Sequence, residues 1–357
     1  MRLVITGGGT GGHLFPGIAL AEGVLARFPE GKVMFIGTDR HIDNQALAGK
    51  PFTVVSLASR PLKGKSLLGQ LAALCYVPVS VGRALTLLRQ FKPDLVFGVG
   101  GYVTGPVLLA AKLLGIPTAI HEQNSIPGLA NRMLGRIVGR VFVSLPGSER
   151  FFPPAKTVMS GNPVRQELLQ AAAQAAPGDG LTVLVLGGSQ GAHAVNELMV
   201  KAVELLLEKK KLRIIHQTGI NDAEWVKKRY NAADVNARVF PFITDMAAAY
   251  AEADLVVSRA GATTLAEVTV FGKPLVLIPY PYAADDHQRY NAAYLAEQGA
   301  AVMYTEQELT GGKLAEVLAE LLADAGRRRA MGGRARSLGR PEATESIINE
   351  CIALAGA

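Results

Sequence analysis

The stretch Leu3-Val-Ile-Thr-Gly-Gly-Gly-Thr-Gly-Gly-His13 decides the fold, because a short apolar run passes directly into glycines and then into a segment of helical period. This order is typical of a buried parallel strand, a tight turn and a helix. A second stretch with the same order, Val183-Leu-Val-Leu-Gly-Gly-Ser-Gln-Gly-Ala-His193, opens the second half of the chain. The repetition about half a chain apart predicts two similar α/β units.

Short apolar runs alternate with helical segments along the rest of the chain. The runs are rich in β-branched residues, as expected for parallel strands that are buried on both faces. The predicted strands are Arg2–Thr6, Val33–Gly37, Thr53–Leu57, Leu95–Val99, Thr118–His121, Arg140–Ser144, Leu181–Leu186, Arg213–Gln217, Arg238–Pro241, Leu255–Ser258, Leu275–Pro279 and Ala301–Tyr304. The predicted fold class is α/β, with two Rossmann-like domains whose parallel sheets face a central cleft. Ligands are expected outside the carboxyl ends of the strands.

The bulk composition indicates a folded protein of a reducing compartment. At 357 residues, with 49% apolar and 19% charged residues, the chain is long enough for two domains. Two cysteines, Cys75 and Cys351, cannot form a disulfide framework. The apolar run at the N-terminus is too short for a signal-peptide core or a membrane span, so a cytosolic protein is expected. Pro153-Pro154 and Gly161-Asn162-Pro163 interrupt the periodicity and predict domains over 1–160 and 161–340.

The net charge of +7 is unevenly distributed. Residues 1–160 carry 17 Lys+Arg against 7 Asp+Glu, whereas residues 161–357 carry 20 against 23. A basic half serves a nucleic acid, an anionic membrane or an acidic substrate. Because no zinc-ligand spacing, RNA-binding aromatic signature or long basic tract accompanies it, a nucleic-acid partner is not expected.

The first glycine loop contains Gly7-x-Gly9-x-x-Gly12, the spacing of dinucleotide-binding loops. Glycines let backbone N–H groups approach a phosphate closely, and the following helix N-terminus supplies partial positive charge. Asp39, after the second predicted strand, could then serve as the ribose acid of an NAD site. A tight turn without a ligand is the alternative interpretation. The second loop, Gly187–Gly191, keeps the same anion-binding logic and adds the Ser189 hydroxyl, with a plain turn again the alternative.

A third constellation is Ser258-Arg-Ala-Gly-Ala-Thr-Thr-Leu-Ala-Glu267, which follows a predicted strand. Thr263 and Thr264 are suitable N-cap residues, and the helix is predicted to stop at Gly272. Its small-residue N-terminus admits a pyrophosphate, and a carboxylate about one turn in can accept two ribose hydroxyls. The competing interpretation makes Glu267 a solvated helix residue.

A metal site is not expected. Asp285, Asp286 and His287 are consecutive, so their side chains do not converge on one ion. No Asp-x-Asp occurs in the sequence, so the ligand pair of metal-dependent nucleotide-sugar transferases is lacking. Two further polar loops, Gly98–Gly105 and His121–Gly128, are predicted at the carboxyl edge of the first sheet. For His121 a buried, hydrogen-bonded histidine is the alternative to a functional one.

With these motifs assembled, the sequence resembles the MurG family, bacterial N-acetylglucosaminyltransferases of glycosyltransferase family 28 with a GT-B fold. The resemblance covers essentially the whole chain. It rests on Gly7-Gly-Gly-Thr-Gly-Gly-His13, Gly100-Gly-Tyr-Val-Thr-Gly105, His121-Glu-Gln-Asn124, Gly161-Asn-Pro-Val-Arg165, Gly187-Gly-Ser-Gln-Gly191 and Gly261–Glu267 with Gln288 and Asn291. It implies that the last helix, within 341–357, crosses back to the first domain.

The resemblance implies an inverting transfer of N-acetylglucosamine from UDP-N-acetylglucosamine to the 4-hydroxyl of MurNAc in undecaprenyl-pyrophosphoryl-MurNAc-pentapeptide (lipid I). The product is lipid II, the precursor of peptidoglycan, which the cell wall needs for shape and division. The first domain would serve the acceptor and the membrane, and the second the UDP-N-acetylglucosamine. No cofactor is implied. The other implied partners are the anionic inner-membrane surface, which the enzyme meets peripherally on its cytoplasmic face, and other cell-wall synthesis proteins.

The family pattern also implies site residues. The implied donor contacts are Thr10, Gly11, Gly12, Asn124, Arg165, Ser189, Ile243, Ala262, Thr263, Thr264, Leu265, Ala266, Glu267 and Gln288. The implied acceptor or diphosphate contacts are Gly9, Gly100, Gly101, Tyr102 and Thr104. The segment Ala262–Glu267 departs from commoner forms at its small and hydroxyl positions.

The transfer needs a base for the acceptor hydroxyl. His13 is the candidate because imidazole titrates near neutrality, and Glu122 is the fallback. Two rival functions stay open: an NAD-dependent dehydrogenase, which would use the first glycine loop, and a non-catalytic nucleotide-sugar sensor. The dehydrogenase does not explain the second glycine loop, and the sensor predicts binding without turnover.

A basic rim predicts a membrane-docking face in the first domain. Lys63, Lys65, Arg83 and Arg89 bracket the uncharged run Ser66–Gly82. This run has 17 residues, with Pro78 inside, and is too short and too broken to span a bilayer. A buried core helix is the alternative interpretation of the run.

Overall fold

The computed structural model describes residues 1–8, 11–38, 47–57, 67–174, 181–188, 190–206 and 212–356, with only the backbone described for 67–76. These residues form two compact units. The first unit comprises Met1–Gln166 and Pro341–Ala357, and the second comprises Glu167–Arg340.

The first unit is built on a sheet of seven described strands, all parallel, in the order β3-β2-β1-β4-β5-β6-β7. The strands are β1 Arg2–Gly7, β2 Lys32–Gly37, β3 Thr53–Ser56, β4 Leu95–Gly100, β5 Thr118–Glu122, β6 Arg140–Val143 and β7 Thr157–Met159. The helices between them are α1 Gly11–Arg27, α2 Leu67–Phe91, α3 Thr104–Leu113 and α4 Leu129–Leu134. β4 and β5 are buried at every position, as expected for a parallel sheet covered by helices on both faces.

The second unit repeats the plan with six described parallel strands in the order β10-β9-β8-β11-β12-β13. The strands are β8 Leu181–Leu186, β9 Leu212–Gln217, β10 Asn236–Phe240, β11 Leu255–Ser258, β12 Leu275–Leu277 and β13 Ala301–Met303. The helices are α5 Gln166–Gln174, α6 His193–Leu205, α7 Ala223–Ala232, α8 Met246–Glu252, α9 Ala262–Phe271, α10 His287–Glu297, α11 Gly311–Ala323 and α12 Ala325–Leu338.

Strand order produces a switch point in each unit, the place where open α/β sheets generally bind ligands. In the first sheet β1 lies between β2 and β4, so the chain leaves β1 towards one edge and later returns to build towards the other. β8 holds the same place between β9 and β11 in the second sheet. Loops on the two sides of such a switch point diverge at the carboxyl ends of the strands and leave a crevice there. The first glycine loop, Gly7–His13, follows the switch strand β1, and the second, Gly187–Gly191, follows β8.

The α/β fold and the twelve predicted strands are confirmed, with strand ends that differ by two residues at most. One strand, β7, was not predicted. It has three residues, lies at the sheet edge beside β6 and is half-buried to exposed, so it leaves too short a pattern to recognise.

The division between the units lies between Gln166 and Glu167, whereas the sequence predicted 160/161. Gly161–Arg165 stays with the first unit because two contacts hold it there. The Gly161 carbonyl oxygen lies 3.0 Å from His121 Nε2. The Arg165 guanidinium lies over the Phe15 ring, 4.8 Å from its centroid.

The last helix, α13 Ala343–Ala355, packs against α1 and β6 of the first unit. A Cβ on Gly23 of α1 would lie 2.7 Å from Thr344 Cγ2, so glycine lets the two helices approach closely. Ile347, Ile348 and Cys351 are buried in the core of the first sheet. Arg140 on β6 pairs with Glu350 at 3.0 Å.

α2 carries most of the predicted uncharged run, with Pro78 inside the helix. Arg83 and Arg89 are exposed on it, and Val79 is 53% exposed. Lys63 and Lys65 lie outside the described residues. Among the helices of the described ranges, none has the length and apolar character that a bilayer crossing requires.

Candidate active site

Two glycine loops interlock at the carboxyl edge of the first sheet, where β1 and β4 end. Gly7 has a φ of +148°, and a Cβ there would lie 2.5 Å from the Gly100 carbonyl oxygen, so only glycine fits. Gly11 is buried and Gly12 is exposed in the first turn of α1. A helix N-terminus carries partial positive charge and suits a phosphate.

Thr104 ties the Gly98–Gly105 loop to the first glycine loop. Its hydroxyl is buried, 3.2 Å from the Thr6 carbonyl oxygen and 2.9 Å from that of Gly100. The neighbouring Tyr102 is 46% exposed. The geometry therefore assigns Thr104 to holding the loops together and leaves Tyr102 as the side chain that can reach a ligand.

His13 and His121 lie at the two ends of one hydrogen-bonded group. His13 Nδ1 is 3.1 Å from Gln123 Oε1, and Gln123 Nε2 is 3.1 Å from His121 Nδ1. His121 is fully buried, and its Nε2 lies 3.0 Å from both the Gly161 carbonyl oxygen and Ser144 Oγ. Burial lowers the pKa of His121 to about 4, so it is neutral near pH 7. The interpretation of His121 as a buried, hydrogen-bonded histidine is supported.

Glu122, the fallback base, organises the loop that follows β5. Its side chain is 2% exposed. One oxygen accepts from the backbone N–H of Asn124 at 3.0 Å, and the other accepts from Asn131 Nδ2 at 2.8 Å and from Gly128 N at 3.3 Å. Because both carboxylate oxygens are engaged by the loop, the geometry favours a role in positioning Asn124 over proton transfer from a substrate.

In the second unit the glycine loop after β8 is held by backbone contact and by one glutamine. A Cβ on Gly191, whose φ is +80°, would collide with the Thr218 carbonyl oxygen and lie 2.7 Å from its carbon. Gln217, the last residue of β9, donates from Nε2 to the Gly188 carbonyl at 2.9 Å. Its Oε1 accepts from Ile243 N at 2.9 Å. Gln217 therefore places the implied donor contact Ile243 beside the loop.

α9 begins at Ala262 with Gly261 as its N-cap, so the prediction of Thr263 or Thr264 as the cap is wrong. Gly261 has an extended backbone, and both threonines already lie in the first helical turn. The predicted end at Gly272 is confirmed, since this residue adopts the left-handed conformation of a C-cap. Leu265 is 1% exposed and packs inward, so only its backbone is available to a ligand.

The solvated interpretation of Glu267 is wrong. Its side chain is 7% exposed, and Oε2 accepts a hydrogen bond from the Tyr250 hydroxyl at 3.0 Å. Tyr250 lies on α8 and is itself buried. A buried carboxylate oriented by a neighbouring helix is suited to binding polar groups of a ligand.

α10 clamps the backbone that leads into α9. Gln288 Oε1 accepts from Ala260 N at 3.1 Å and from Tyr280 N at 3.0 Å, and Asn291 Nδ2 donates to the Ala260 carbonyl at 3.1 Å. These bonds tie the loop after β11 to the loop after β12. Gln288 therefore positions backbone at the mouth of α9.

Comparison with known proteins decides the family. The family models of the glycosyltransferase family 28 N-terminal and C-terminal domains match residues 3–143 and 182–347. A Desulfotalea psychrophila protein named UDP-N-acetylglucosamine–N-acetylmuramyl-(pentapeptide) pyrophosphoryl-undecaprenol N-acetylglucosamine transferase is 48% identical, over 98% of this chain and 96% of its own. A Myxococcus xanthus protein of the same name is 47% identical, over 99% and 93%. The chain belongs to glycosyltransferase family 28.

A crystal structure of Acinetobacter baumannii MurG agrees with this membership. It is 33% identical to the chain, covers 99% of both chains and gives a TM-score of 0.79. The predicted resemblance to the MurG family and the two-domain GT-B architecture are confirmed, and the protein is a glycosyltransferase. Membership along the whole chain does not favour the dehydrogenase alternative.

Some predicted site residues of this family-28 enzyme lie outside the described residues, namely Gly9, Thr10 and Ser189. The first-unit residues come together at the ends of β1, β4 and β5, and Arg165 lies beside α1 through its contact with Phe15. In the second unit, Gln217 holds Ile243 beside the loop after β8, and Gln288 holds the backbone that leads into Ala262–Glu267. Within the part of the chain that the structure describes, no group of three or more His, Cys, Asp or Glu is placed to hold a metal.

Sequence reasoning assigned no individual role to the buried amide side chains of Gln123, Gln217 and Asn196. Gln123 joins His13 to His121, and Gln217 joins the second glycine loop to Ile243. Asn196 on α6 donates to the Thr218 carbonyl at 2.9 Å. A usable signal exists for the two glutamines: each is a polar amide at or directly after the end of a buried apolar strand, which is the ligand-binding edge of the sheet.

Proposed function

We propose that this glycosyltransferase transfers N-acetylglucosamine from UDP-N-acetylglucosamine to the 4-hydroxyl of MurNAc in lipid I, with inversion at the anomeric carbon, to give lipid II. The observation that carries the proposal is the near-half identity, along the whole chain, to transferases named for this reaction. The position of both glycine loops at the switch points of the sheets supports it, because a glycine loop that leads into a helix is a common phosphate-binding element.

The second unit is proposed to hold the donor. The first turn of α9 faces open space at Gly261, where the nearest atom to an added Cβ is Thr264 Oγ1 at 3.9 Å. Its N–H groups can therefore bind the diphosphate. Glu267, oriented by Tyr250, is placed about one turn further on to accept the ribose hydroxyls.

The first unit is proposed to supply the base and the acceptor site. The MurNAc 4-hydroxyl attacks the anomeric carbon while the bond from that carbon to the UDP oxygen breaks and its electron pair leaves with UDP. His13 takes the hydroxyl proton. Tyr102 and the backbone of Gly100 and Gly101 are the proposed acceptor contacts. General base catalysis of this kind contributes about 10²–10⁴-fold.

Charge on departing UDP is proposed to be stabilised by helix N-termini and by Arg165. Preorganised donors of this kind are worth roughly 2–4 kcal/mol each. The cation–π contact with Phe15 keeps the guanidinium beside the first turn of α1. Since the sequence has no Asp-x-Asp, we expect transfer without a metal. Activity that disappears after dialysis against a strong chelator and returns only with magnesium or manganese would reject this.

The enzyme is proposed to work peripherally at the cytoplasmic face of the membrane, because a long-chain acceptor does not leave the bilayer cheaply, at about 0.8 kcal/mol per exposed methylene. α2 packs on α3, and this pair of helices exposes Val79, Leu109 and Leu113. Arg83 and Arg89 are exposed on α2 as well. Apolar side chains with cations beside them suit an anionic leaflet.

The experiment that tests the function is UDP release from UDP-N-acetylglucosamine, measured with and without a lipid I analogue. We expect release only with the acceptor, together with a β-linked disaccharide product. Donor binding without any turnover on the acceptor would support the nucleotide-sugar sensor instead. Turnover with an unrelated acceptor but not with the lipid I analogue would keep the enzyme class and overturn the substrate.

A further inference from the structure

A chain of hydrogen bonds in the first unit begins at a backbone carbonyl and ends at the proposed base. Its members are the Gly161 carbonyl, His121, Gln123 and His13, and all lie within Met1–Gln166. In each link, one partner is already known to be a donor or an acceptor, and this determines the role of the other partner. The proton positions can therefore be worked out in order along the chain.

The first link fixes the tautomer of His121. A carbonyl oxygen only accepts, so the Nε2 that lies 3.0 Å from the Gly161 carbonyl carries a proton. His121 is fully buried and neutral near pH 7, because burial lowers its pKa to about 4. A neutral imidazole has one N–H, so its Nδ1 is a bare acceptor.

The second link fixes the orientation of the Gln123 amide. The group 3.1 Å from the bare Nδ1 of His121, and 2.9 Å from the Val99 carbonyl oxygen, must be a donor to both, which is Nε2. The reversed amide would place its oxygen against two acceptors with no proton between them. Gln123 Oε1 therefore faces the other way, 3.1 Å from His13 Nδ1.

The third link fixes His13. Its Nδ1 faces an oxygen that only accepts, so this nitrogen carries the proton, and in the neutral ring Nε2 holds the lone pair. The ring edge is also backed by the Gly98–Gly105 loop, since a Cβ on Gly100 would lie 2.9 Å from Nδ1 and 3.0 Å from Cε1. Rotating the ring by half a turn would replace the Nδ1 bond to Gln123 with a carbon.

We propose that Gln123 is a positioning residue for the transfer, which keeps the proton of neutral His13 on Nδ1 and so presents Nε2 to the acceptor hydroxyl. This rests on the proposed function. In the step, the hydroxyl O–H bond breaks and its proton goes to His13 Nε2. The oxygen forms the new bond to the anomeric carbon, while the bond from that carbon to UDP breaks and its electron pair leaves with UDP. The imidazolium then has both nitrogens protonated, with Nδ1–H still donating to Gln123, and it returns the second proton to solvent.

Charged and titratable neighbours of His13 bear on the test. His121 is joined to it through Gln123 and stays neutral above about pH 4. The Arg165 guanidinium lies over Phe15, two residues further along α1. Glu122 is turned into the loop that carries Asn124. A carboxylate at position 123 would therefore be a new charge in direct contact with the imidazole.

Nitrogen NMR of the full-length protein with ¹⁵N-labelled imidazoles reads the proton position without any substrate. We expect the signals of the neutral His13 ring, assigned by their loss in His13→Ala, to show a protonated Nδ1 and a bare Nε2. In Gln123→Met the ring is expected to shift towards the Nε2–H tautomer that free histidine prefers. The control Gln170→Met makes the same change on an exposed face of α5 and is expected to leave the signals unchanged. A wild-type Nε2–H tautomer would overturn the proposal.

Kinetics give a second, independent readout. Gln123→Met is expected to lower kcat about tenfold or more with little change in the donor KM, as for loss of an interaction made in the transition state. Gln123→Glu places a carboxylate against the imidazole, so the acid limb of the kcat/KM profile is expected to move about one pH unit upward. An unmoved profile together with a raised donor KM would make Gln123 merely structural. If the Nδ1–H tautomer is found but UDP is never released, the positioning stands and the proposed function fails.

Discussion

At the scale of single residues, Glu267 is the proposed contact of the donor's ribose hydroxyls. It is buried, carries a carboxylate and is oriented by the Tyr250 hydroxyl. We predict that Glu267→Ala raises the donor KM at least tenfold, because a hydrogen bond to a charged group is worth about 1.5–3 kcal/mol. Calorimetry with UDP-N-acetylglucosamine measures it. Glu316→Ala, an exposed glutamate of α11, is the matched control, and unchanged donor binding by the Glu267 variant would remove this residue from the site.

At the same scale, replacing His13, the proposed base, is expected to slow the chemical step. His13→Ala is expected to lower kcat at saturating substrates by about 10²-fold or more, the usual worth of a general base. The competing role is a phosphate contact or a contribution to the helix start, which would raise KM and spare kcat. Steady-state rates of UDP release separate the two outcomes, and a variant that keeps most of its turnover would place the base elsewhere.

At the scale of elements, two glycines of the loop after β8 form a matched pair. Gly188 and Gly191 have φ values of +93° and +80°, so alanine costs about 1–2 kcal/mol of backbone strain at either position. A Cβ at Gly188 meets nothing within 4 Å, whereas one at Gly191 collides with the backbone of Thr218. We predict a clearly larger loss of Tm and of UDP affinity for Gly191→Ala than for Gly188→Ala. Equal losses in thermal melts would mean that the loop moves freely away from Thr218.

At the same scale, a buried histidine in β9 contacts the residues that support the glycine loop of the second unit. His216 in β9 is buried, with Tyr230 on Nδ1 at 2.9 Å and Asn196 Oδ1 on Nε2 at 3.0 Å. Asn196 in turn donates to the Thr218 carbonyl that limits the loop at Gly191. In both units, a buried neutral histidine is therefore hydrogen-bonded to an amide side chain, which in turn donates to backbone next to a glycine loop.

At the scale of the whole molecule, these two histidines predict acid sensitivity. Burial lowers the pKa of His121 to about 4 and that of His216 to about 3, whereas both titrate near 6.5 in the unfolded chain. The unfolded state therefore binds protons first, and the free energy of unfolding falls as pH drops from 6.5 towards 4, by up to about 1.4 kcal/mol per pH unit for each histidine.

Urea unfolding at pH 7.5, 6 and 5 measures this loss. His216→Gln is expected to flatten the dependence, although its stability at pH 7.5 is lower. His287→Gln, a change at a partly exposed histidine, is expected to keep the wild-type slope. A slope that His216→Gln leaves unaltered would assign the acid sensitivity to other groups.

Membrane docking is also a property of the whole molecule. We predict salt-sensitive binding to anionic vesicles, since cations near an anionic surface contribute about 1 kcal/mol each and salt screens them. Replacing Lys63, Lys65, Arg83 and Arg89 with Ser is expected to weaken co-sedimentation while activity on a short-chain soluble acceptor stays intact. The control replaces four exposed cations of the second unit with Ser: Lys227, Lys228, Arg327 and Arg329. Undiminished binding by the first variant would place the membrane face elsewhere.

The sequence by itself determined the family and the succession of strands, glycine loops and helices along the chain. These features are local: an apolar β-branched run followed by glycines has few alternatives to a buried strand and a tight turn. The motifs of the strand ends are equally local, so His13, Glu122 and Glu267 could be singled out from their neighbours in the chain. The local pattern did not show which contacts each of these side chains makes.

Only the tertiary structure decided the partners. It gave Glu267 a buried tyrosine from another helix, engaged both oxygens of Glu122 in its own loop, and joined His13 to Gln123 across 110 positions of sequence. It also made Gly261 the N-cap of α9 and kept Gly161–Arg165 with the first unit. The physical reason is that a hydrogen bond between distant residues depends on the order and register of the strands in the sheet. These bring together side chains that lie far apart in the sequence, so the residues next to one of them do not indicate its partner.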